Sequence, residues 1–379
     1  MDFGLTDEQT ALRDAAAKFA ADRLAPKAFT WNSYPWENAK ALAAAGLTGI
    51  AVPVEFGGQG GTLLDAVVVE EEISKVCPHS GDVLHVTNFA AIRQIMAFGG
   101  SDLARKVVAD VINGDALVTV GMSEPEAGSA VTELRTKARR ESGSVVIDGM
   151  KSWNSNGPEA THVVVWCRFG PGADGIGAVL VPADAPGFSK GPRGDFMSGD
   201  GYCELFFDGC TVDESYLLTE EHAIKRLLAN FNVERLGNAC RSLSLGQAAF
   251  ELALRHAVER TQFGRRLADN QGIKWKLADM SIQLEAARLL VYRAAAVLDT
   301  GEAGTVEMSV AKTHANETGF FVANHALQIF GASGYAQPSP IDYIFRKVRG
   351  WMIAGGSVEI QRDRIAAELL RPFRSGSER

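Results

Sequence analysis

The chain has 379 residues, more than one hydrophobic core usually organises, so two or three domains are expected. Hydrophobic residues make up 46% and charged residues 22%, an ordinary globular composition that argues against extended disorder. The formal net charge of −8 argues against a nucleic-acid or anionic-membrane partner, because either needs a basic face.

In chain order, Thr6-Asp7-Glu8-Gln9 has the form of a capping box, followed by an apolar stripe of Leu12, Ala15, Ala16, Phe19 and Ala20 at helical spacing. The stretches 38–45, 63–76 and 102–112 also read as helices, and VPVEFGGQGG (52–61) reads as a loop. An N-terminal all-α domain is therefore expected over 1–116. From residue 117 the texture changes to short β-branched or aromatic runs at 117–120, 145–147, 162–167, 178–181 and 204–207, separated by Gly-rich turns such as FGPGADGIG (169–177). That pattern predicts a β-barrel or sandwich over 117–221, with 183–201 as a surface excursion. Helical periodicity returns near 222. Leu227, Phe231, Leu243, Ala248, Leu252 and Ala257 share one long amphipathic stretch, and 273–298, 306–330 and 358–370 give three more. A C-terminal four-helix bundle over 222–379 follows. The fold class is α+β multidomain. No GxGxxG follows a strand, so a Rossmann dinucleotide site is not supported.

The five cysteines, Cys77, Cys167, Cys203, Cys210 and Cys240, are scattered and form no CxxC pair. Neither a metal site nor a disulfide framework is expected, and free thiols fit a cytoplasmic protein. The N-terminus has no apolar h-region, and no run of about 18 apolar residues predicts a membrane span.

Four segments carry chemistry. Gly121-Met122-Ser123-Glu124-Pro125-Glu126-Ala127-Gly128-Ser129 leaves the first predicted strand and enters a loop; a plain Ser/Gly turn is the alternative reading. Lys151-Ser152-Trp153-Asn154-Ser155-Asn156-Gly157 contains a Trp that could equally be core. Arg260-Thr261-Gln262-Phe263-Gly264 could be a solvated helix end with a Gly cap; it pairs with Gln328-Ile329-Phe330-Gly331-Ala332-Ser333-Gly334. The last is Ile353-Ala354-Gly355-Gly356-Ser357-Val358-Glu359-Ile360.

Together and in this order, the segments resemble the signatures of the acyl-CoA dehydrogenase family over essentially the whole chain. The resemblance implies FAD as cofactor and an acyl-CoA as substrate. It places the Met122 backbone and Ser123 hydroxyl at the flavin ring, where donors stabilise the anionic reduced ring. Ser129 faces the flavin and CoA pyrophosphates. Trp153 covers a flavin face, and the Ser155 hydroxyl donates to N5. Arg260 and Phe263 reach the FAD of a neighbouring subunit, with Gln328 and Ala332 at the same ADP half; an Arg fork suits a diphosphate. Gly356, Ser357 and Glu359 also belong to the cofactor site, and Asn232, Arg235, Ala354 and Gly355 to the substrate site. A homo-oligomer, usually a dimer of dimers, and an electron-transferring flavoprotein as acceptor are further implications.

The chain departs from the family at three places. Ala332 stands where a second Gly is usual, and Ala130 replaces the Asp that normally follows Gly-Ser. Many members carry their catalytic Glu at the position of Gly355, which has no side chain. A minority, including isovaleryl-CoA and long-chain enzymes, carry it on the first bundle helix, and Glu234 in Phe231-Asn232-Val233-Glu234-Arg235-Leu236 matches that position. The resemblance thus implies Glu234 as the base and the Gly355 N–H as a donor to the thioester carbonyl. Spacing alone leaves Glu234 equally readable as an ion-pair partner for a nearby Arg, and Arg235 as that partner. Ala354, where a bulkier aromatic is common, implies a wider acyl pocket. Two other functions compete with dehydrogenation to a trans-2-enoyl-CoA. Ala130 together with Gly355 is also the pattern of a desulfinase branch that cleaves a sulfinate using an Arg near the acyl pocket; here the corresponding stretch His79-Ser80-Gly81-Asp82-Val83 has none. The third is a half-site subunit of a hetero-oligomer, which would lose part of the contact set retained here.

Overall fold

Thr6 Oγ1 accepts from the Gln9 N–H and the Gln9 side chain accepts from the Thr6 N–H, each at 3.2 Å, so two orphan donors are satisfied and helix α1 (Asp7–Phe19) starts where the capping box predicts. The computed structural model describes residues 4–99 and 101–374; the ends of the first and last expected domains, 1–3 and 375–379, lie outside the described residues. Helices α2 (Trp36–Ala44), α3 (Leu63–Val76), α4 (Pro78–Asn88), α5 (Ile92–Phe98) and α6 (Asp102–Ile112) follow. The loop over 52–61 holds one 3₁₀ turn at Val54–Phe56. Helices α4 and α5 are not visible as periodicity. Nearly every residue of α4 is buried, so it has no polar face to set a rhythm.

Among the described residues nine strands make one sheet: β1 (Val118–Gly121), β2 (Lys137–Glu141), β3 (Ser144–Ser155), β4 (His162–Arg168), β5 (Ile176–Pro182), β6 (Phe188–Lys190), β7 (Gly194–Asp195), β8 (Gly201–Asp213) and β9 (Leu217–Thr219). The path runs β6-β8-β3-β2-β4-β5-β9, with β1 parallel to β4 and β7 paired with β8. The alternate residues Val163, Val165 and Cys167 of β4 share one core with Cys203, Leu205 and Phe207 of β8, although two strands intervene, so the sheet curls around its apolar face. The segment 183–201 is more than a surface excursion: β6 and β7 both add to the β8 edge, with Phe188 opposite Phe207. The second motif begins inside the twelve-residue β3, and its last two residues, Asn156 and Gly157, form the turn that follows.

Beyond the sheet come α7 (Ile224–Glu259), a hairpin of β10 (Thr261–Gln262) and β11 (Arg265–Arg266), then α8 (Gln271–Asp299), α9 (Thr305–Phe330), the single turn α10 (Ala332–Tyr335), α11 (Pro340–Trp351) and α12 (Val358–Arg374). The four long helices fall where periodicity places them. The fifth, α11, has a start signal that was legible: Ser339 caps the Asp342 N–H and Pro340 takes the first helical position.

Packing groups the described residues into two compact units, one within 31–62 and 82–234, the other within 1–30, 63–81 and 235–379. In the helical unit, α7 and α9 cross closely. A Cβ on Gly319 would stand 2.4 Å from Ser242 Oγ, so only glycine permits the approach. Ser242 Oγ donates to the Ala315 carbonyl (3.2 Å), and Asn316 Nδ2 donates to Asn238 Oδ1 (3.0 Å), across the same crossing. Among the described residues, no helix is long and apolar enough to cross a membrane.

Candidate functional site

In the β-unit, the loop leaving β1 is tied to β3 by a buried polar cluster. Lys151 is fully buried, and its Nζ donates to Glu124 Oε1 at 2.7 Å and to the Met122 carbonyl at 3.3 Å. The Glu124 carboxylate also accepts from the N–H groups of Arg135 (2.6 Å) and Thr136 (2.9 Å). Burial pushes the Glu124 pKa up, but the Lys151 ammonium and these hydrogen bonds outweigh it and hold the carboxyl below its usual range. Asn154 donates to the Val120 carbonyl and accepts from Thr119 Oγ1, both at 2.9 Å, and the Ser152 N–H donates to the Ser123 carbonyl at 2.8 Å. These bonds fix Met122 and Ser123, both half-buried, against residues 151–154. Glu124, Lys151 and Asn154 were not singled out from sequence. The available signal was one of two acids, Glu124 and Glu126, among small loop residues, and a lysine beside a predicted strand.

The β3–β8 register shifts between Lys151 and Asn154, where three steps on β3 match two on β8. This bulge turns Trp153 to φ +58°, a costly conformation for a bulky residue, and leaves its ring 57% exposed, with Tyr202 tilted against it at 5.1 Å. Ser155, two residues on, is exposed. Trp153 is thus no core tryptophan. Ser129 and Ala130 are exposed at the far end of the signature loop.

In the helical unit, the turn between α11 and α12 is gripped from three helices. Gly355 and Gly356 have φ of +70° and +86°. Arg235 Nε (α7) donates to the Gly355 carbonyl at 2.9 Å. Lys312 Nζ (α9) donates to the Gly356 carbonyl at 3.0 Å and the Trp351 carbonyl at 3.3 Å. Gln361 Nε2 (α12) donates to the Gly356 carbonyl at 3.2 Å, and its Oε1 accepts from Ser309 Oγ at 3.1 Å. Among the described residues the Gly355 N–H meets no acceptor. Ser357 caps α12 through the Ile360 N–H, and its hydroxyl holds the exposed Glu359 carboxyl below its usual range. Ala354 is exposed, and nothing bulky occupies its position.

Glu234 and Arg235 are consecutive on α7. Glu234 is half-buried with Oε2 shielded from water; Asn232 and Arg235 are buried. At the remaining motif, β10 and β11 form a tight hairpin whose turn residues Phe263 and Gly264 both have positive φ, and the Phe263 ring is fully exposed. Arg260, Gln328 and Ala332 are exposed, and Gly331 (φ +63°) opens α10.

These residues fit FAD. A bulge holds an aromatic face out of the sheet beside hydroxyl donors, a hairpin presents a second solvent-exposed aromatic next to arginine, and the glycine turn keeps an unengaged N–H.

The family description "Acyl-CoA dehydrogenase, N-terminal domain" matches residues 6–115, the middle-domain description 119–210 and the C-terminal description 224–370. The chain is 37% identical to a 3-sulfinopropanoyl-CoA desulfinase of Paraburkholderia xenovorans, over 97% of each chain. It is 34% identical to an acyl-CoA dehydrogenase of Bacillus subtilis, covering 97% of this chain and 99% of that one. Its fold superposes on the butyryl-CoA dehydrogenase of Megasphaera elsdenii with a TM-score of 0.92 at 30% identity, covering 98% of this chain and 100% of that one. The chain belongs to the acyl-CoA dehydrogenase family, a family of FAD-dependent oxidoreductases acting on acyl-CoA thioesters.

Proposed function

We propose that the protein removes hydrogen from the α- and β-carbons of an acyl-CoA thioester to give a trans-2-enoyl-CoA, with Glu234 as the base. The observation that carries this reading is the Glu234 carboxyl, half-buried on α7 with Oε2 shielded from water, in a chain whose residue 355 is a glycine with no side chain to act as base. FAD, when bound, supplies the hydride acceptor. The chain's own residues do the rest. The Gly355 N–H donates to the thioester oxygen and stabilises the charge that develops there as the α-proton leaves. Glu234 takes that proton. Met122, Ser123, Trp153 and Ser155 seat the flavin ring. Ser129, Asn232, Arg235 and Ala354 line the path of the CoA ester. Arg260, Phe263, Gln328 and Ala332 serve the ADP half of a neighbouring subunit's FAD, and Gly356, Ser357 and Glu359 complete the cofactor site.

The same reading divides the chain functionally at 116/117 and 221/222, in keeping with the three family matches. It makes the protein a cytoplasmic homo-oligomer, a dimer of dimers, that delivers electrons to an electron-transferring flavoprotein. Both halves of the FAD contact set occur in one chain, which favours this over a half-site subunit. The test is oxidation of a panel of acyl-CoAs with a ferricenium-type acceptor. Enoyl-CoA formed in step with acceptor reduction supports the reading.

One observation favours a second reading: the relative that is 37% identical is a desulfinase. Against it, residues 79–83 contain no arginine, and the next along the chain, Arg93, is engaged with the carbonyls of Asn88 and Ala51. Sulfite release from 3-sulfinopropanoyl-CoA without acceptor reduction would establish this second reading instead.

A further inference from the structure

Lysine is almost never fully buried unless it is paired, because desolvating an ammonium is expensive. Lys312 is fully buried in α9, and its Nζ reaches the main-chain carbonyls of Trp351 and Gly356, which bracket the turn that carries Gly355. The Gly355 carbonyl is engaged by a second cation, Arg235. Two successive left-handed glycines thus have both carbonyls held by positive side chains, while the Gly355 N–H keeps no acceptor among the described residues. A neutral donor would suffice to cap a carbonyl, as Gln361 does at Gly356. A cation adds a field, and such a field stabilises negative charge developing next to the turn.

We propose that Lys312 is a positioning residue for the thioester oxygen: it locks the 351–356 turn so that the Gly355 N–H faces that oxygen, and it places a buried positive charge behind it. The proposal rests on the dehydrogenase reading above. It goes further in assigning a role to a residue remote from the four motifs. The closeness of the side chain to residue 355 supports it, since Lys312 Cε lies 3.5 Å from where a Cβ on Gly355 would stand.

The test compares two ligands of the FAD-loaded protein, an acyl-CoA thioester and the matching S-alkyl-CoA thioether, which lacks the carbonyl. Dissociation constants are measured by calorimetry for the native protein and for Lys312→Met, which keeps the side chain's bulk and loses its charge. Removing a charged hydrogen-bond donor is expected to weaken thioester binding about 10-fold or more and to leave thioether binding within about twofold. Turnover is expected to fall more in kcat/KM than in kcat. Equal weakening of both ligands, or no change in either, overturns the proposal. If Lys312→Met does not fold, Gln361→Met removes another donor from the same carbonyl. A loss of about threefold confined to the thioester is then expected, and unchanged discrimination overturns the proposal. The binding comparison does not need turnover. A native protein that discriminates the two ligands but oxidises no acyl-CoA would sink the dehydrogenase reading and leave the assignment of Lys312 standing.

Discussion

Arg235 Nε donates to the Gly355 carbonyl at 2.9 Å, joining α7 to a glycine 120 residues further along the chain. The two are linked through the carbonyl that lies on the other side of the Cα from the N–H expected to meet substrate. Arg235 is buried, so its guanidinium acts in a setting where charge is poorly screened. Arg235→Lys keeps the charge but not the fork, and the two are not interchangeable at such a site. The expected outcome is a fall in kcat/KM of about 10- to 100-fold, equivalent to a lost charged hydrogen bond. Steady-state kinetics with the preferred acyl-CoA checks it.

Gly355 offers a reciprocal experiment. A Cβ there would meet Lys312 Cε at 3.5 Å, an ordinary contact, while φ of +70° strains any residue other than glycine. Gly355→Glu is expected to fold with a penalty of about 1–3 kcal/mol, the cost of a non-glycine residue in the left-handed region. Introduced with Glu234→Gln, it is expected to restore part of the lost oxidation, because it returns a carboxylate to the turn that the family resemblance implies as the alternative place for the base. Melting curves and acceptor reduction measure the two effects separately.

The Glu124–Lys151 pair gives a pH prediction. Removing one partner leaves the other buried and uncompensated, so Glu124→Gln is expected to lower stability by about 3–5 kcal/mol at neutral pH. The sign in acid follows from the lowered Glu124 pKa. A carboxylate stabilised by the fold contributes fully above its unfolded pKa and loses that contribution as pH falls through its lower folded value. The gap in melting temperature between native protein and Glu124→Gln is therefore expected to narrow from pH 7 towards pH 3.

Trp153 sits at a bulge with its ring mostly in solvent, so truncation leaves the β core untouched. Trp153→Ala is expected to weaken FAD binding about 10- to 100-fold, the usual worth of an aromatic stacked on a base-like ring. The melting temperature of the FAD-free protein should change little. Fluorescence titration with FAD measures the first, and calorimetry of the FAD-free protein the second.

The sequence made the long amphipathic elements readable, because half-buried helices keep a polar face. The starts of α1 and α6 match the expected positions for that reason, whereas α3, mostly buried, was legible from its acidic residues. Helix α4 was hidden by burial on all sides. The second motif's strand was legible only near its start, at 145–147, because a bulge and a left-handed Trp153 interrupt the alternation further along. At the site, residues with a distinctive local pattern were legible: Ser123, Trp153, Phe263 and Gly355. The residues that hold those in place were not. Lys151, Asn154, Lys312 and Gln361 each act through one main-chain carbonyl or a partner distant in sequence, and no local spacing announces such a bond.

The base assignment is tested most directly by anaerobic flavin bleaching with acyl-CoA in native protein and in Glu234→Gln. The carboxamide keeps the shape of the side chain and loses its basicity. Native protein should bleach with its preferred substrate. Glu234→Gln should bind FAD at the native ratio and bleach at least about 1,000-fold more slowly, a loss in keeping with removal of a general base. Bleaching at the native rate by the yellow variant would contradict the account.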